Sequence, residues 1–190
     1  MLEMKKLALA LSLIVLATFG AWQAIQASPR GGVYTIRLAP PSQSLRAQIE
    51  AMNKVAAKSI LHKDLNAFSK AIKPTVAPDF KYMENGTSQN FDQMVDHMKQ
   101  GVGMMTKVTL AQAKILKLSQ KGDAGRCSTV HIIEGTMVGP DKKSHKLHVE
   151  GTSSDVYAKV GSKWLLKTMT FQNGKALMDG KPFNPGGPGK

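Results

Sequence analysis

Residues 107–172, KVTLAQAKILKLSQKGDAGRCSTVHIIEGTMVGPDKKSHKLHVEGTSSDVYAKVGSKWLLKTMTFQ, decide the fold. They divide into the extended runs Val108–Leu118, Arg126–Val138, Lys146–Val160 and Trp164–Gln172. Lys121-Gly122-Asp123, Gly139-Pro140-Asp141 and Gly161-Ser162 separate them, each a plausible tight connection in length and chemistry. Four long, consecutive, turn-linked strands predict an antiparallel meander.

Upstream the texture is helical. Leu45, Ile49, Met52, Ala56 and Ile60 recur at helical spacing, with Arg46, Gln48, Lys54 and Lys58 on the other side. Ser42 or Ser44 can cap that helix. Asp64 is a good cap for a second, short helix carrying Leu65, Phe68 and Ile72, which Pro74 ends because proline has no amide to donate. Residues 76–89 read as extended structure around Asn85-Gly86, a hairpin pair that accepts positive φ. Asn90 caps a third helix, with Gln93 placed for a capping box and an apolar stripe of Phe91, Met94, Val95, Met98, Val102 and Met105.

The amino terminus has its own pattern. Lys5 and Lys6 precede an apolar run from Leu7 to Phe19, followed by the small residues Gly20, Ala21, Ala24 and Ala27. This is the order of a secretory signal peptide, and it predicts export to the periplasm or the extracellular space with cleavage near Ala27. The alternative is an uncleaved amino-terminal segment that anchors the protein to a membrane. The expected organisation is a signal peptide over 1–27, a linker over 28–41, one domain over 42–175 and a Pro/Gly-rich tail over 176–190.

An apolar fraction of 42% supplies an ordinary core. Cys127 is the sole cysteine, so no intramolecular disulfide can form, and its apolar strand suits a small buried hydrophobe. The net charge is +13, and removal of Glu3, Lys5 and Lys6 leaves +13 − 1 = +12. A field of that sign draws anionic lipid or polymer, and the densest cluster is Lys142, Lys143 and Lys146 at an expected hairpin tip. No basic helix or aromatic-plus-basic repeat accompanies it, which argues against specific nucleic-acid recognition.

Three helices followed by a long antiparallel sheet make an α+β domain with the helices on one sheet face. The order helix, helix, APDFKYMENG hairpin (residues 77–86), helix and four strands ending in VGSKWLLKTMTF (residues 160–171) resembles the nuclear transport factor 2-like superfamily. That superfamily includes ketosteroid-isomerase-like and SnoaL-like proteins and many secreted bacterial members. The resemblance implies that the helices close one side of a curved sheet around a conical cavity, and that copies pair through the sheet's outer face. Apolar residues on both strand faces agree with a covered outer face: Val130, Ile132 and Val138 oppose Ile133 and Met137, and Trp164 and Leu166 oppose Leu165, Met169 and Phe171. A homodimer is the expected assembly.

The five histidines form no H-E-x-x-H and no cysteine–histidine framework, so neither a metal nor a cofactor is expected. His145 and His148, three apart on a strand, point to opposite faces. Met52, Asp79, Tyr82, Met94, Met98, His131, Glu134 and Trp164 are the expected cavity residues. Glu134 and Glu150, in apolar or small-residue stretches, are the candidate general bases, with Tyr82 or Tyr157 as the opposing acid. The chain matches neither the full tyrosine-plus-two-aspartate set of the isomerases nor a histidine–aspartate pair of the cyclases. The leading reading is an exported envelope binding module that takes an apolar small molecule. The alternatives are an isomerase or cyclase using a cavity carboxylate, and a basic protein held to anionic surfaces.

Overall fold

The computed structural model describes residues 44–139 and 141–183. The expected signal peptide, linker and last tail residues, 184–190, lie outside the described residues. The order is α1 (Leu45–Leu61), α2 (Leu65–Ile72), a 3-10 turn (Lys73–Thr75), β1 (Val76–Glu84), β2 (Thr87–Gln89), α3 (Phe91–Met104), β3 (Met105–Lys121), β4 (Ala124–Val138), β5 (Ser144–Val160), β6 (Lys163–Met178) and β7 (Lys181–Pro182).

The local signals place these elements as expected. Ser44 Oγ accepts from the Ala47 amide at 3.2 Å, and Asp64 Oδ1 accepts from the Ala67 amide at 2.8 Å. Asn90 and Gln93 close a reciprocal capping box, both bonds 3.0 Å long. Asn85 and Gly86 turn the first hairpin at φ 48° and 77°.

Hydrogen bonding orders the sheet β2-β1-β6-β5-β4-β3, an open sheet with β7 paired to β6. The β3–β6 meander is antiparallel throughout. The sheet as a whole is mixed, because β1 runs parallel to β6. The chain crosses to the far edge through α3, and the meander then returns strand by strand until its last member lies beside β1. β6 also runs past the expected end at Gln172. Asp179 and Gly180, at φ 50° and 78°, turn it into β7, where Pro182 occupies an edge position that tolerates a missing amide.

Alternate residues of the meander face the helices. On β4 these are Cys127, Thr129, His131, Ile133 and Met137; on β5 they are Leu147, Val149, Ser153, Asp155 and Tyr157, all buried. On β6 the alternation breaks. Trp164, Leu166, Met169 and Phe171 are all buried on one side, contrary to the expected two-faced split. Tyr157 pairs with Leu166 and Val156 with Thr168, so Lys167 is an extra residue without a partner opposite. A bulge of this kind reverses the side-chain parity beyond it. The outward face therefore draws its apolar surface from half-buried Val130, Ile132, Val156 and Leu165.

Gln48 also departs from expectation. It is buried on α1, where its amide brackets the Trp164 backbone, donating to the carbonyl and accepting from the amide at 3.2 Å. A buried side-chain amide is tolerated when both its ends are bonded, and here it joins α1 to β6.

Candidate functional site

The middle of the β4–β5 pair carries a polar seam through an otherwise apolar interior. Register sets Cys127 opposite Asp155 and Thr129 opposite Ser153, with His131 opposite Gly151. His131 and Asp155 are each 2% exposed and Ser153 is fully buried. Strand alternation dictates this: His131 shares parity with Ile133 and Met137, and Asp155 with Tyr157 and Val149. The Phe171 ring lies over Gly151, where a Cβ would stand only 2.0 Å from Cζ, and its centroid is 6.4 Å from that of His131.

His131 Nε2 lies 2.8 Å from Ser153 Oγ. Ser153 also hydrogen-bonds the Asp155 carboxyl, and Cys127 Sγ lies 3.4 Å from Thr129 Oγ1. Two buried atoms, His131 Nδ1 and Asp155 Oδ1, have no partner among the described residues. Each such atom costs about 1–3 kcal/mol if nothing satisfies it.

Burial sets the protonation. It pushes the His131 imidazolium down to about 3, so the ring is neutral at physiological pH. It pushes the Asp155 carboxyl up to about 7, against the opposing Ser153 hydrogen bond. Burial likewise raises Cys127 and Tyr157, whose hydroxyl stays protonated. Asp155, Ser153 and His131 thus form a chain with two states. A protonated Asp155 donates to Ser153, which donates to Nε2, leaving Nδ1–H as a donor into the interior. An ionised Asp155 reverses both bonds and leaves Nδ1 as an acceptor.

Of the expected cavity residues, Met52, Met94, Met98, Tyr82 and Trp164 are buried in the same core as His131 and Tyr157. The Tyr82 hydroxyl lies 3.2 Å from Glu84 Oε2, and burial raises its pKa. Asp79 and Glu134 do not join them. Asp79 is exposed on β1 and ion-paired to Lys167, which holds its carboxyl below the usual range. Glu134 and Glu150 sit at outward positions of β4 and β5, so neither expected base reaches the helix-covered interior. They flank His148, whose Nδ1 is 3.0 Å from Glu134 and whose Nε2 is 3.5 Å from Glu150. Lys175, 3.0 Å from Glu150, lowers that carboxyl's pKa where burial was expected to raise it.

Ser153 escaped the sequence reading, although its parity with Val149 and Tyr157 was the signal that could have found it. The reading also saw no histidine–aspartate pair, whereas His131 and Asp155 are joined through Ser153. Among the described residues no cluster of histidine, cysteine, aspartate and glutamate is arranged to hold a metal. Lys142 and Lys143 occupy the β4–β5 turn, and Lys146 is the third residue of β5. Two aspartates interleave with them: Asp141 and Asp179 grip His145 at 2.8 and 2.7 Å and raise its pKa.

Neither a protein-family model nor a curated protein matches the sequence. Solved structures do match. The structure of LinA is 12% identical, aligning 70% of this chain with 88% of its own at a TM-score of 0.52. A nuclear transport factor 2-like superfamily protein from Salmonella enterica serovar Typhimurium is 16% identical over 63% of this chain and 84% of its own, at 0.45. A nuclear transport factor 2-like protein of unknown function from Shewanella oneidensis is 11% identical over 61% and 88%, at 0.42. Three helices on one face of a curved, open, antiparallel-rich sheet are the fold that the chain shares with LinA.

Proposed function

We propose that the protein is an exported small-molecule-binding domain, with the ligand held between the helices and the sheet in a conical cavity at the His131–Ser153–Asp155 seam. The carrying observation is the pair of unpartnered buried atoms, His131 Nδ1 and Asp155 Oδ1. Their neighbours Phe171 and Tyr157 are aromatic, so the ligand has an apolar body and one polar group, such as a hydroxyl or carbonyl, that pairs with both atoms. Native mass spectrometry of protein purified from its own host tests this. A retained compound in wild type, lost in a folded His131→Phe/Asp155→Leu variant, is the expected result. Wild-type protein that carries no compound, and that no hydroxylated polycyclic compound stabilises thermally, overturns it.

A second reading has one observation in its favour. A carboxyl titrating near 7, relayed through Ser153 to a neutral imidazole, is poised to move a proton beside a bound carbonyl. The general base on this reading is the Asp155–His131 chain, and turnover of a ketosteroid or polyketide-like substrate that Asp155→Asn abolishes is its signature.

A further inference from the structure

The interior seam leaves the positive surface unexplained, and the fold divides that surface between the two ends of the sheet. The β4–β5 turn and the β6–β7 turn share one end, where the Asp179 amide bonds the Lys146 carbonyl at 2.9 Å. Lys142, Lys143, Lys146 and Lys181 stand there against Asp141 and Asp179. The β3–β4 and β5–β6 turns share the other end, where the Lys159 amide bonds the Asp123 carbonyl at 2.8 Å. Lys121, Arg126, Lys159 and Lys163 cluster there with Asp123 as the opposing carboxylate, and none of the four cations has an ion pair among the described residues. Arg46, also near this end, pairs with Glu50 at 3.3 Å.

Two further features belong to the second end. Val160, the last residue of β5, is 60% exposed at the tip. A Cβ at Gly125 would lie 2.4 Å from Leu45 Cδ2, so the first residue of α1 packs one residue from Ala124, where β4 begins. The chain before Ser44 therefore enters at this end. Residues 20–43 are all that separates Ser44 from the apolar run Leu7–Phe19. Fully extended, that many residues reach at most about 85 Å, so until cleavage near Ala27 the apolar run holds this end within that distance of the membrane it engages.

We propose that the end of the sheet built by the β3–β4 and β5–β6 turns is a membrane-docking surface, with Lys121, Arg126, Lys159 and Lys163 on anionic headgroups and Val160 at the headgroup boundary. Lysines near an anionic leaflet each strengthen binding by roughly fivefold, and an apolar tip ringed by cations is the chemistry of an interfacial contact. The hairpin carrying Lys142, Lys143 and Lys146 then faces away from the bilayer.

Lysine acetylation read by mass spectrometry tests this on the full chain, with phosphatidylcholine vesicles with or without about one-third phosphatidylglycerol. On the anionic vesicles, Lys121, Lys159 and Lys163 should be protected by about threefold or more, and the protection should vanish between about 0.1 M and 1 M salt. Lys142, Lys143 and Lys181 should be modified equally with both lipids. Lys121→Glu/Lys159→Glu/Lys163→Glu should weaken vesicle binding by about tenfold or more, whereas Lys142→Glu/Lys143→Glu/Lys146→Glu should change it by less than about twofold. Equal protection at both ends, protection of the hairpin end alone, or no protection overturns the proposal, and the wild-type footprint decides it even if a variant misfolds.

Discussion

His131 and Asp155 shift in opposite senses, and the signs give a test. The unfolded histidine takes a proton near 6.5 and the folded one only near 3, so His131 costs stability as pH falls through that window. The unfolded aspartate loses its proton near 3.8 and the folded one near 7, so Asp155 costs stability as pH rises through that window. Between about pH 4 and 6.5 the two slopes, each roughly 1.4 kcal/mol per pH unit, oppose one another. Urea unfolding across this range should find wild-type stability nearly flat, Asp155→Asn losing stability toward acid, and His131→Phe losing it toward neutrality. Parallel pH profiles in all three would show that the seam does not control the linkage. The sequence exposed half of this site. His131 stood out as a histidine among β-branched residues, while Ser153 and Asp155 lay in a polar run, Thr152 to Asp155, whose inward members are marked only by parity with Val149 and Tyr157. The glutamates misled for the same reason, since an apolar neighbourhood in sequence says nothing about which face a strand residue takes.

Helices and caps were legible because their causes are local: a stripe at 3.6-residue spacing, or an asparagine three residues before a glutamine. β6 was not, because its bulge is written across the β5–β6 pair and not within β6. Deleting Lys167 should restore regular pairing with Met169 and Phe171 still turned inward, whereas deleting Thr168 as well should turn both outward. Exposing two such side chains costs about 3–6 kcal/mol, a loss that denaturant unfolding would register as a large drop in midpoint or as failure to fold. A double-deletion variant as stable as wild type would mean that the bulge does not set which way Met169 and Phe171 face. Gln48 was illegible for a related reason, since a polar residue on a helix is drawn inward only by a backbone more than a hundred residues away.

For the molecule as a whole, the meander and the helix-covered face were readable from strand lengths and turns, whereas the parallel β1–β6 contact was not, because no local pattern records which strands become neighbours. The homodimer stands as a proposal resting on outward Val130, Ile132, Val156 and Leu165, which are only half-buried within one chain. Sedimentation at micromolar concentration should find a dimer that Ile132→Asp converts to monomer, and a wild-type monomer refutes it. Export is likewise a proposal from Lys5, Lys6 and Leu7–Phe19. Fractionation should place the protein outside the cytoplasm with a new amino terminus near Ala27, and full-length protein confined to the cytoplasm refutes it. The β1–β6 pairing has a kinetic consequence. Tyr82 finds its strand partner in Met169, so the first long strand waits for the last one. Contacts of such sequence separation slow folding, because a large loop must close before they form. The helices can flicker into place during synthesis, but the sheet closes only once the carboxy-terminal strand is free. Until then the nascent chain stays open, the form in which a polypeptide can be threaded through a pore.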